Sequence, residues 1–216
     1  MSEANLTAMG GSHVMGAHAP EALEESPYRM PSRKLVMWLF IMSDAVTFAA
    51  LLFAYGYLRN ATPGWPRPFH FSPTVINAMI MTLVLVTSSF TMLIAMRAAN
   101  LGDKAGALRW TFITVVAGII FALLHIREWI GLIGEGLRLF QNPWGSGLFG
   151  AAFFTITGLH LSHVVGGVIA LTVVALGYKR GRYNAGHIEI WGLYWHFVDI
   201  VWMFVIPFVY LLNIAH

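Results

Sequence analysis

Five long apolar runs dominate this chain. They cover about residues 35–57, 75–96, 110–133, 147–176 and 190–212, and each is near the ~20 residues an α-helix needs to cross the hydrocarbon core of a bilayer. Peptide groups in lipid must pair within their own segment, so a helix is the form such a run takes. Composition agrees: 57% of the 216 residues are hydrophobic and 11% charged, against roughly a quarter charged in soluble domains. Mean hydropathy is +0.67. The reading is an all-α integral membrane protein with five transmembrane helices in one bundle, residues 32–216. Residues 1–31 form a tail rich in small and polar residues that cannot bury a core and is expected to be flexible and cytoplasmic.

The connections are short and carry turn-formers: TPGWPRP (62–68), NLGDKAG (100–106), QNPWGSG (141–147) and KRGRYNAG (179–186). The basic residues sit beside the runs. Arg29, Arg33 and Lys34 precede the first; Arg97, Lys104 and Arg109 flank the second connection; Lys179, Arg180 and Arg182 lie in the fourth. The first and third connections hold only Arg59, Arg67, Arg127 and Arg138. The positive-inside rule then puts the N-terminus in the cytoplasm and the C-terminus outside. A pI near 9.4 is explained by topology and not by a nucleic-acid surface. No cysteine is present, which excludes disulfides, thiolate metal sites, iron–sulfur clusters and thiol nucleophiles. The N-terminal stretch lacks the apolar core of a signal peptide, and its His13 and His18 are too loosely spaced for a metal site.

Ionisable residues inside a span are costly and mark function or specific pairing. This chain has Asp44 in the first run, His125 and the Arg127–Glu128 pair in the third, His160 and His163 in the fourth, and His196 and Asp199 in the fifth. Thr157 and Ser162 add hydroxyls. His160 and His163 share a helical face at i, i+3, as do His196 and Asp199. Imidazoles so placed could ligate haem or a metal, hydrogen-bond between helices, or handle protons. A di-iron site would need Glu-x-x-His on two helices, and the chain has none. Asp44, near mid-membrane, is either a proton-relay carboxylate or a packing group. The Trp195 and Trp202 indoles can satisfy buried acceptors. Gly158, Ser162, Gly166 and Ala170 repeat at four-residue steps and form a ridge that another helix can approach closely.

The segment YWHFVDIVWMFVIPFVYLL (194–212) resembles the last helix of subunit III of haem–copper oxidases. TGLHLSHVVGG (157–167) is similar to that family's T-G-x-H-x-x-H-V segment, and FIMSDAVTFAALLFAY (40–55) to its F-x-x-S-E/D helix. LHIREW (124–129) and TSSFT (87–91) fall in the matching helices, in order. The resemblance covers residues 35–212, and five spans match the short bacterial form.

It implies a non-catalytic subunit, without haem or metal of its own, in the inner membrane of a bacterium. Such a subunit packs with oxidase subunits I and II and possibly a small subunit IV, which carry haem and copper and take electrons from cytochrome c or quinol. It binds phospholipid and supports proton uptake. Asp44 stands where many members carry glutamate, one methylene longer, and is the proton-related candidate. His160, His163, Trp195, His196, Asp199 and Trp202 carry over as structural motif residues, and His125 and Glu128 are read beside them as structural intramembrane polar residues. Lys179, Arg180 and Arg182 are candidates for lipid phosphate. The rival readings are the ubiquinol oxidase subunit, the accessory protein of a nitric oxide reductase, and a haem-binding membrane protein using His160 and His163. A small transporter would need two broken helices in matching halves, and only Pro207 interrupts a span.

Overall fold

The computed structural model describes residues 31–69 and 74–214, so the tail with His13 and His18 lies outside the described residues except for Pro31. The described residues form five helices: α1 (Ser32–Ala61), α2 (Ile76–Asn100), α3 (Lys104–Gly134), α4 (Gly147–Lys179) and α5 (Ala185–Val205). Each is long and apolar enough to span a membrane, so this is a multi-pass membrane protein. Most helices overrun the apolar runs by a turn or so, because helix ends are set by caps and not by hydropathy. Asp103 accepts from the Gly106 amide at 2.9 Å to start α3, Ser146 accepts from Leu148 to start α4, and Asn184 and His187 close a capping box on α5. Gly102 and Gly181 take φ of +77° and +74° just past α2 and α4, the left-handed turn that lets the Asp103 and Arg182 amides fold back onto carbonyls of the last turn.

α5 is the hub. It packs against α1, α2 and α4, while α2 and α3 form a tight hairpin and α4 bridges α3 and α5. The α5 span is also the most buried of the five and α1 the least. Trp195 and Trp202 of α5 are fully buried. A helix apolar on all sides becomes a core helix when its bulky rings face its neighbours. The approach is close because glycines face the rings. A Cβ on Gly118 of α3 would lie 2.5 Å from the Trp195 ring, and one on Gly167 of α4 would lie 2.9 Å from it.

The ridge of Gly158, Ser162, Gly166 and Ala170 is largely unused by the described helices: Ser162 and Gly166 are exposed, and only Gly158 meets a ring closely, that of Trp129. Gly167, one residue along, provides the inward close approach.

Beyond α5 the chain widens into a π turn, Ile206–Tyr210, and a 3-10 turn, Leu211–Asn213. Pro207 has no N–H to continue the α ladder, which accounts for the change of pitch. The 62–69 connection folds back here. Phe69 is buried, stacks on Tyr210 at 5.1 Å and pairs with Ile214 as an isolated bridge.

Candidate functional site

The polar residues inside the spans fall into three groups, each placed by α5 or α4. In the first, His163 Nε2 on α4 lies 3.2 Å from Asp44 Oδ2 on α1. The contact is at ion-pair distance without hydrogen-bond alignment. The other ring nitrogen, Nδ1, is 2.7 Å from the Leu159 carbonyl. A carbonyl only accepts, so Nδ1 carries a hydrogen. That leaves Nε2 as the nitrogen turned to the Asp44 carboxyl. Each side chain is largely buried, 13% exposed for Asp44 and 15% for His163, and Tyr194 on α5 closes the pair from one side by donating to the His163 carbonyl at 3.1 Å.

In the second group, α5 is sewn to α2. The Ser89 hydroxyl on α2 hydrogen-bonds His196 Nδ1 at 3.1 Å. Asp199, one turn further along α5, is buried near the same hydroxyl. The Trp195 indole donates to Ser88 Oγ at 2.9 Å, and Trp202 donates to Thr82 at 3.3 Å. Thr91 and Thr114 continue the seam between α2 and α3 at 2.8 Å. Each bond satisfies a group that would be costly bare in the core.

The third group is the aromatic cage around His160. Phe121, Trp202 and Phe48 enclose this fully buried ring, with Trp202 stacked on it at 5.1 Å. His125 on α3 is also fully buried, against the same Phe121 and Trp202. Among the described residues, no hydrogen-bond partner meets any ring nitrogen of His125 or His160. Glu128, one turn from His125, accepts from the Tyr210 hydroxyl at 3.0 Å and does not pair with the adjacent Arg127.

His160 and His163 therefore divide between two environments and do not present two imidazoles to one ligand, so the arrangement gives no support to the haem-binding reading. The described residues contain no group of three or more His, Asp or Glu side chains placed to hold a metal ion.

The three lipid-phosphate candidates also separate. Lys179, Arg180 and Arg182 are exposed, but only Arg182 lines a pocket of about 500 Å³ together with Arg33, Tyr183, His187 and Trp191. Arg33 and Trp191 also border an adjacent apolar groove with Val36, Phe40 and Tyr194.

Sequence reasoning missed Asn213. It is fully buried, donates to the Tyr55 hydroxyl at 2.6 Å and the Val209 carbonyl at 2.7 Å, and accepts from Trp65 at 3.1 Å and Arg59 at 3.4 Å. An asparagine just beyond the last apolar run was the available signal.

Comparison with known proteins matches the same region. The family model for cytochrome c oxidase subunit III matches residues 27–214. The quinol oxidase subunit 3 of Bacillus subtilis is 33% identical over 84% of this chain and 87% of its own length. The cytochrome c oxidase subunit 3 of Bacillus sp. (strain PS3) is 35% identical over 84% and 86%, and the probable cytochrome c oxidase subunit 3 of Mycobacterium tuberculosis (strain ATCC 25618 / H37Rv) 34% identical over 85% and 89%. A match running from just before α1 to the end of the 3-10 turn takes in all five spans and every intramembrane group described above, and the chain belongs to the cytochrome c oxidase subunit III family.

Proposed function

We propose that this chain is the non-catalytic subunit III of a bacterial haem–copper terminal oxidase of the cytochrome c type, held in the inner membrane with its N-terminus cytoplasmic and its C-terminus outside. The observation that carries the reading is the family match across all five spans; the bias of basic residues supports the orientation. In this reading the chain packs beside subunits I and II, and possibly a small subunit IV, which hold the haem and copper. It stabilises them and sustains proton uptake during O₂ reduction. Asp44 is the titrating carboxylate, and its contact with His163 supplies a partner with which to share a proton. Lipid is the second element. The Arg182 and Arg33 guanidiniums beside an apolar groove suit an anionic headgroup and its acyl chain.

A quinol oxidase is the second reading, favoured by the Bacillus subtilis relative at comparable identity. Affinity purification from native membranes in mild detergent, through a tag on the N-terminal tail, tests both. Haem absorption arriving with a partner subunit that binds copper through cysteines supports the cytochrome c form. Haem arriving without any such cysteine-bearing copper subunit supports the quinol form. A tagged chain that comes down alone and coloured overturns both.

A further inference from the structure

A pocket of about 200 Å³ opens between the end of α3 and the start of α2, lined by Thr74, Asn77, Arg127, Glu128 and Glu135 among others. Glu128 lines it while its Oε1 is buried. From there, ionisable side chains follow one another into the bundle. His125 is one turn back along α3 from Glu128. His125 and His160 lie against the same two rings, Phe121 at 5.7 and 5.8 Å and Trp202 at 5.5 and 5.1 Å. His163 is one turn along α4 from His160, and both abut Phe48. His163 meets Asp44 at 3.2 Å. The file thus runs from the α2/α3 mouth to α1.

Along it, polar atoms lack partners where burial makes that most costly. Glu128 Oε1, Trp129 Nε1, and both ring nitrogens of His125 and of His160 are buried with no hydrogen-bond partner among the described residues. Clustered buried donors and acceptors of this kind are the sites at which proteins bind internal water.

We propose that Glu128, Trp129, His125 and His160 bind internal water that reaches from the mouth between α2 and α3 to the Asp44–His163 pair. Phe121, Trp202 and Phe48 keep the file narrow by closing its sides. The inference concerns access of water to the interior, so its tests read hydration and not turnover, and they stand apart from the subunit assignment.

The chain has no cysteine, so His125→Cys, His160→Cys and the dry control Met92→Cys each introduce the single thiol of this subunit. In the assembled oxidase, a small cationic methanethiosulfonate reagent is followed by the mass of this subunit. The thiolate is the reacting form and needs water around it, so the two histidine positions are expected to label at least about tenfold faster than Met92→Cys. Gly131 borders the mouth, and a Cβ there meets nothing within 4 Å. Gly131→Trp puts a large ring at the mouth from a position whose Cβ is unobstructed, and should slow labelling at both positions. Labelling of His160→Cys at the control rate, or unaffected by Gly131→Trp, overturns the proposal. The unsubstituted oxidase gives a readout free of any cavity made by substitution. A structure at a resolution that shows water should place ordered waters on His125, His160 and Glu128 Oε1, and a dry cage there overturns it equally.

Discussion

His163 on α4 holds its Nε2 3.2 Å from the carboxylate of Asp44 on α1, and this is a polar contact inside the span of the least buried helix of the bundle. Asp44→Asn keeps the shape and removes the titrating group. The expected result is normal assembly with slower proton uptake or earlier loss of activity during prolonged turnover of the oxidase. Unchanged turnover over long cycling would leave Asp44 a packing role only.

Ser89 on α2 hydrogen-bonds His196 and lies near Asp199, one turn along α5. Ser89→Ala should strip the pair of its link to α2. Intramembrane hydrogen bonds are worth about 1–2 kcal/mol or less, so the loss should appear as lower recovery of this subunit and a lower unfolding temperature in detergent. His196→Ala and Asp199→Ala should each act in the same direction, and a double substitution with Ser89→Ala should be less than additive. Full additivity would show that the groups do not interact.

Gly118 faces the ring of Trp195 and a methyl of Val168, which a Cβ would approach to 2.5 and 2.7 Å. In an exposed helix Gly→Ala stabilises by roughly 1 kcal/mol. Here the added methyl should instead destabilise by about 1–3 kcal/mol, because neither neighbour can retreat in a packed core. Thermal unfolding of Gly118→Ala next to Gly131→Ala, where space is open, separates the two effects by sign.

Asn213 ties the C-terminal turn to α1 and to the 62–69 connection through Tyr55, Arg59 and Trp65. Asn213→Leu fills the volume but leaves buried partners bare, at about 1–3 kcal/mol for the set. Faster amide exchange or proteolysis confined to the 62–69 connection and the C-terminal turn is the expected observation. Protection equal to the unsubstituted protein would show that the clasp contributes nothing.

Arg182 lines the pocket whereas Lys179 and Arg180 do not. If the pocket holds a phosphate headgroup, Arg182→Ala should lower the phospholipid that co-purifies with the subunit. Lys179→Ala and Arg180→Ala should leave it unchanged. Equal losses for all three would point to a diffuse surface attraction.

The five spans, and the location of the ionisable residues within them, were legible in the sequence because the bilayer imposes a length and a polarity that one dimension can express. The motifs around His160, His163, His196 and Asp199 carried the family. Which groups meet was not legible, since that depends on how helices far apart in sequence are rotated against each other. His160 and His163 share a spacing that reads as a ligand pair, yet a rotation of one turn's residues places one against Asp44 and the other inside an aromatic cage. The four-residue ridge on α4 was visible as a pattern, but Gly167 faces Trp195 because the α4–α5 crossing, and not the repeat, chooses the inward face. Asn213 and Ser89 look like ordinary polar residues in the chain. Only the tertiary packing, which surrounds them with groups that must be hydrogen-bonded away from water, makes them junctions of the fold.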